Sequence, residues 1–172
     1  MSSVALPLLR IPLGVVVERA RAESPWIDFV WRGTAVLPDE PDMTPWTVIR
    51  EQAGTTLFYA GSAMVDLYRS ETARYRDNLA SGDPSVWIVL TPSEGAWPYA
   101  VSAVTADPAE GEAFTEAGAN LVEAVPMPDV LRAAIELFIA EHHVETGFVK
   151  RERRRADPEA LARRRREGGT NE

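Results

Sequence analysis

Up to residue 69 the chain runs in short apolar alternations, and the spacing of a helix face does not occur. Ile11, Leu13, Val15 and Val17 alternate with Pro12, Gly14, Val16 and Glu18, and Ile27, Phe29 and Trp31 alternate with Asp28, Val30 and Arg32. A period of two sends successive side chains to opposite faces of a pleated strand. Glu23-Ser24-Pro25 supplies turn chemistry between the two runs, so they are expected to pair antiparallel. A proline-rich connection, Pro38 to Pro45, leads into Trp46–Ile49. Gly54 breaks to Thr56–Ala60, and Gly61-Ser62 breaks again before Met64–Arg69, which predicts a meander of three short strands. Strands that precede the first helix disfavour an alternating parallel order. They predict an α+β fold: an antiparallel or mixed sheet of about six to eight short strands with two or three packed helices.

Helical signals begin at Ser70, a candidate N-cap for a helix over Glu71–Ala80, with Thr72, Tyr75 and Leu79 as its buried stripe. Gly82-Asp83-Pro84 stops it. Val86–Leu90 is uninterrupted apolar sequence, as expected of a central strand covered on both faces, and Trp97–Thr105 follows as another strand. Asp107-Pro108-Ala109-Glu110 places an acceptor, a proline and a carboxylate where a helix start needs them. That helix should end near Gly118, before a short strand over Asn120–Val125. Pro128 opens the strongest helix, to about His143, with Leu131, Ile135, Phe138 and His142 on one face.

Charge divides the chain. The net charge is −8, yet residues 146–172 carry 9 basic and 5 acidic side chains, leaving 9 basic and 21 acidic on residues 1–145. The apolar signal stops after Gly147. A globular domain over 1–147 and an Arg-rich tail over 148–172 are therefore expected, the tail helical in part from Asp157-Pro158 and a candidate for disorder when free. Its cations are Lys150, Arg151, Arg153, Arg154, Arg155, Arg163, Arg164, Arg165 and Arg166. Such runs suit an acidic protein surface, an anionic lipid surface, a phosphorylated cofactor or the chain's own acidic body. Nucleic acid ranks low, because a body this acidic repels a duplex.

Several chemistries lack their residues. With no cysteine there is no disulfide framework, thiolate metal site or cysteine nucleophile. The two histidines are adjacent, and Glu141, His142 and Glu145 lack the further ligands of a metal centre, so no metal is expected. His142 reads better as a half-buried, hydrogen-bonded side chain at a helix end. A Gly-x-Ser-x-Gly elbow and a glycine-rich phosphate loop are both missing. Asp39 with Glu40 or Glu51 reads as a solvated acidic surface rather than an acid/base pair. These residues favour a non-enzyme without excluding catalysis. Trp31 and Trp87 sit in strand contexts and should be core, whereas Trp26, Trp46 and Trp97 adjoin prolines and are candidate aromatic anchors for a partner. No stretch approaches the roughly 20 apolar residues of a membrane-spanning helix, and Arg10, Pro7 and Pro12 spoil any likeness to a signal peptide. A cytoplasmic location is expected.

The chain also resembles an uncharacterised proteobacterial family encoded beside molybdenum- or tungsten-dependent formate dehydrogenase genes. The likeness rests on Ile11-Pro12-Leu13-Gly14-Val15-Val16-Val17-Glu18-Arg19, Pro25-Trp26, Trp31, Ala35-Val36-Leu37-Pro38 and Pro45-Trp46. It continues through Tyr59-Ala60-Gly61, Leu67-Tyr68-Arg69-x-Glu71-Thr72, Tyr75-x-x-Asn78-Leu79, Pro84-Ser85-Val86-Trp87, Val104-Thr105-Ala106 and Val125-Pro126-Met127-Pro128. It closes with His142-His143-Val144-Glu145, Phe148, Lys150-Arg151 and Ala156-Asp157-Pro158. The resemblance implies a non-catalytic accessory or maturation factor that docks through its tail on a formate dehydrogenase component or assembly factor. Some members carry the label of a molybdopterin-guanine dinucleotide biosynthesis protein. This implies an alternative, a binder or transferase of the pterin cofactor, although the nucleotide loop of a nucleotidyltransferase is absent. A nucleic-acid-binding regulator is the second alternative. The leading reading expects no cofactor.

Overall fold

The computed structural model describes residues 4–144; the boundary at 147 and all nine tail cations lie outside them. β1 (Leu9–Arg21) and β2 (Phe29–Pro38) form the expected antiparallel hairpin, with Val16 opposite Ala35 and Arg21 opposite Phe29. β3 (Thr47–Gln52) turns at Ala53-Gly54 into β4 (Thr55–Leu67), and β4 pairs with β1 from Thr55–Ala20 to Leu67–Leu9. The four strands make one antiparallel sheet in the order β2-β1-β4-β3. β4 corrects the expected break at Gly61-Ser62, where one strand replaces two. Gly61 takes φ +130°, a conformation L-residues rarely adopt, and β4 bulges against β1 there without losing the ladder.

A second antiparallel sheet has the order β6-β5-β7, from β5 (Ser85–Pro92), β6 (Tyr99–Thr105) and β7 (Leu121–Pro126). Among the described residues, seven strands and three α-helices, α1 (Thr72–Ala80), α2 (Pro108–Glu116) and α3 (Asp129–His142), give the expected α+β class, divided between two sheets rather than one. β6 lies against β4 and β7 against β2, so the sheets enclose a common core. Leu13, Val15, Val17 and Val36 meet Val86, Ile88, Leu90 and Val104 there, and Tyr75, Leu131, Ile135 and Phe138 close it from the helices. β5 is covered on both faces, as its apolar run predicts. Ile88 packs on Gly33 of β2, and on the other side Trp87 lies under α2. Gly111 makes that second approach: a Cβ there would sit 2.4 Å from Trp87 Cγ.

α2 begins as its sequence predicts. Asp107 accepts from the Ala109 N–H at 2.9 Å, with Pro108 in the first turn. Glu110 does not reach the cap backbone itself. The Asp107 N–H donates to Thr105 Oγ1, whose hydroxyl donates to Glu110 at 2.6 Å, so a threonine relays the capping box. α1 departs from expectation. Arg69–Glu71 forms a 3-10 turn, the helix starts at Thr72, and the Ser70 hydroxyl bonds Glu71 instead of capping the helix. The buried face of α1 is Thr72, Tyr75 and Asn78, with Leu79 half-buried. Asn78 donates to the carbonyls of Ser85 (2.8 Å) and Ala106 (3.0 Å) and accepts from the Ser85 N–H (3.0 Å). One side chain thus ties α1 to the start of β5 and to the α2 cap.

No helix among the described residues is long and apolar enough to cross a membrane. Asn78→Ala strands the buried Ala106 carbonyl and the two part-buried backbone groups of Ser85, and should cost about 2–4 kcal/mol in urea unfolding. Burial pushes the Tyr75 hydroxyl up to about 12, against an ordinary 10.0, and the bond it accepts from the Tyr68 N–H only partly offsets this. The unfolded chain therefore loses this proton first as pH rises, so stability present below pH 10 falls as pH climbs towards 12. Tyr75→Phe should flatten that alkaline slope in denaturation curves taken across the interval.

Candidate functional site

Four rings from four separate segments meet at the end of the first sheet. Trp31 (β2), Phe58 (β4), Trp46 (the β2–β3 connection) and Trp97 (the β5–β6 loop) are all in mutual contact, with centroids 5.1–6.4 Å apart. Trp46 and Trp97 stack nearly parallel, at 16° and 5.1 Å, while Trp46 meets Trp31 edge-on at 86°. Offset stacks and T-shaped contacts are the arrangements ring quadrupoles favour. Register explains part of the assembly. Val17 lies opposite both Gly33 and Phe58, and Arg19 lies opposite both Trp31 and Thr56, so Phe58, Arg19 and Trp31 share one face. Trp46 enters through a backbone bond to the Tyr59 carbonyl and a left-handed φ of +68°.

Arg19 extends the cluster outward. Its guanidinium lies 4.6 Å from the centroid of Phe29, 5.2 Å from Phe58 and 5.7 Å from Trp31. A planar cation stacked on three rings is held by the ring faces while its edge stays free for hydrogen bonds, here to Thr56 Oγ1. Beyond Phe29 the chain carries an apolar rim on the β1–β2 connection: Trp26 is 90% exposed, and Ile27 and Val30 are also exposed. The Ser24 hydroxyl accepts from the Trp26 N–H and the Ala22 N–H bonds the Asp28 carbonyl, so this turn is built and not merely slack. At the opposite edge of the sheet β3 leaves all six residues exposed, Val48 and Ile49 among them. A packed aromatic base under an apolar rim offers the kind of anchor a protein surface can bind, and β3 leaves an open strand edge on the far side of the sheet.

The three candidate anchors therefore separate. Trp26 stands free, whereas Trp46 and Trp97 are half-buried in the cluster with Trp31. Trp87 is half-buried under α2. Sequence reasoning missed Arg19 and Phe58, whose signal is their place in alternating runs beside Trp31.

A second feature is a polar cleft of about 470 Å³ between the start of α1 and α2, lined by Tyr68, Ser70, Glu71, Arg74, Asp107 and Glu110. Arg74 bonds Glu71 at 2.7 Å and Asp107 at 2.8 Å, and the Asp107 bond holds its guanidinium above the ordinary value. Asp107 caps α2 and Glu110 accepts from Thr105. Each charged group in the cleft thus has a structural partner. Among the described residues no three His, Asp or Glu side chains are grouped to hold a metal. His142 tilts against Phe138 at 4.6 Å and lies 3.7 Å from Glu141. The hydrogen bond expected of it belongs to His143, whose Nδ1 is 2.9 Å from Thr72 Oγ1.

The molecule is thus an α+β protein of two antiparallel sheets, with an aromatic cluster backing an exposed apolar rim. It belongs to the family described as Protein of unknown function (DUF3305), whose family model matches residues 12–154. That span takes in α1 to α3 and all seven strands apart from Leu9, Arg10 and Ile11 at the start of β1. It includes Lys150, Arg151, Arg153 and Arg154 but neither Arg155 nor Arg163–Arg166. Comparison with curated proteins and with solved structures found no match.

Trp97→Ala empties the centre of a ring cluster and should cost about 2–3 kcal/mol. Trp26→Ala should leave stability within about 0.5 kcal/mol of the parent in the same chemical denaturation. The contrast checks that Trp26 alone of the three is free to serve a partner.

Proposed function

We propose that this protein is a non-catalytic, cytoplasmic accessory or maturation factor for a molybdenum- or tungsten-dependent formate dehydrogenase, acting by docking. The observation that carries docking is the exposed rim of Trp26, Ile27, Phe29 and Val30 on a base of packed rings. Apolar side chains held out by a firm turn lose little conformational freedom on binding, which is what makes an anchor effective. The sequence resemblance supports the identity of the partner. The tail arginines supply complementary charge for an acidic partner surface and speed encounter.

The test is affinity capture of the full chain from cells that express the dehydrogenase. Wild-type chain should retain a formate dehydrogenase component, and the Trp26→Ser, Ile27→Ser double variant should lose it while keeping the parent's melting temperature. Deleting the gene should lower formate dehydrogenase activity. Equal retention by both chains, together with unchanged activity in the deletion strain, would falsify the proposal.

One observation favours the alternative, a pterin-cofactor binder: the Trp46–Trp97 stack is half-exposed, a surface on which a fused ring can lie. Titration with the pterin cofactor should then quench tryptophan fluorescence, and an unchanged spectrum removes that reading.

A further inference from the structure

α3 carries two apolar stripes, and the fold uses one. Leu131, Ile135 and Phe138 are buried in the core, with His142 continuing their face. Offset by one residue, about 100° around the helix, Val130, Ala133, Leu137 and Ala140 repeat with spacings of three and four, and Val144 lies just beyond the helix, past the extended His143. That is the spacing of a helix–helix seam. All five are exposed, Val130 at 67%, Leu137 at 62% and Val144 at 68%. The alanines leave space for close approach by another backbone.

Charge and chain length select the occupant. Asp129, Glu136 and Glu141 flank the seam and are exposed, and Arg132 is taken up by its own Glu136 at 3.0 Å. An acidic-flanked seam calls for a helix with one small apolar patch and several cations. The segment Asp157–Arg166 has that composition: Ala160, Leu161 and Ala162, then Arg163, Arg164, Arg165 and Arg166. The twelve residues 145–156 can span up to about 40 Å when extended. The helical seam from Val130 to Ala140 is about 15 Å long, so the chain can turn back along it. So short a seam, with alanine at two of its four helical positions, falls short of the roughly 1,200 Å² that stable bimolecular interfaces bury. A tethered segment needs less, because its effective concentration is high.

We propose that the exposed face of α3 is the docking site for this chain's own segment Asp157–Arg166. Leu161 packs over Leu137, the arginine stems cover the valines, and their guanidinium groups reach Glu136 and Glu141. The contact stands whether or not a formate dehydrogenase component is the partner. Where an acidic partner is present, it competes with α3 for the same arginines.

The absence of native cysteine permits a direct test on the full chain. An Ala162→Cys variant is given a nitroxide label, and the amide signals of an isotopically labelled sample are compared before and after the label is reduced. In low salt the amides of Val130, Leu137 and Val144 should lose intensity while those of β3 do not. High salt should restore them, as should the Glu136→Lys, Glu141→Lys pair. No loss in low salt overturns the proposal, as does a loss that neither salt nor charge reversal affects. A loss seen when the nitroxide is carried only by unlabelled chains mixed into the sample also overturns it, because the occupant is then a second copy.

Discussion

The pairing of β1 with β4 is the constraint on which the other elements depend. It joins Leu9 to Leu67 and Ala20 to Thr55, so the ladder closes a loop of 34 residues, 21–54, at its inner end. Loop-closure entropy grows only slowly with length, and a ladder of twelve paired residues can outweigh it. Once closed, it sets both edges of the sheet, because β2 can only extend β1 and β3 can only extend β4. It also delivers Tyr68 to Tyr75, and so sets where α1 starts. The extra residues of the two bulges are Thr34 of β2 and Ala60 of β4, so both partners of β1 bulge beside Val15–Val17 while their ladders continue on either side.

Legibility in the sequence followed the range of the forces. The β1–β2 hairpin, the two-sided burial of β5, the start of α2 and the core stripe of α3 rest on local periodicity and capping chemistry, and they were readable. Gly61-Ser62 misled because glycine breaks a strand when nothing holds it. Here β1 pairs on both sides of it. Ser70 misled in the same way: its local capping chemistry lost to a tighter turn fixed by contact between Tyr68 and Tyr75. Asn78 sits three residues after Tyr75 and just before a stop signal, so its burial was detectable, but its bonds to Ser85 and Ala106 depend on tertiary placement.

The candidate site was legible in its ring types and not in its assembly. Prolines beside Trp26, Trp46 and Trp97 suggested exposure for all three. Residues 31, 46, 58 and 97 meet only after both sheets are in place, and their association leaves Trp46 and Trp97 half-buried. What remains exposed is narrower: one tryptophan, three neighbours and a cation stacked on three rings. The second stripe of α3 was present in the spacing all along. The stronger core stripe one residue away masks it.

The exposed apolar groups of the protein include the rim from Trp26 to Val30 at one end of a sheet and Val130 and Leu137 along α3, besides Val4, Leu6 and Leu8 before β1 and Val48 and Ile49 on β3. Its charged cleft is committed to holding α1 to α2. The central claim is that partner binding uses the sheet end. Amide hydrogen exchange of the full chain, alone and mixed with a purified formate dehydrogenase component, tests it most directly. New protection over residues 22–30 is the predicted result. Protection confined to the α1–α2 cleft, with residues 22–30 exchanging as in the free chain, would contradict it.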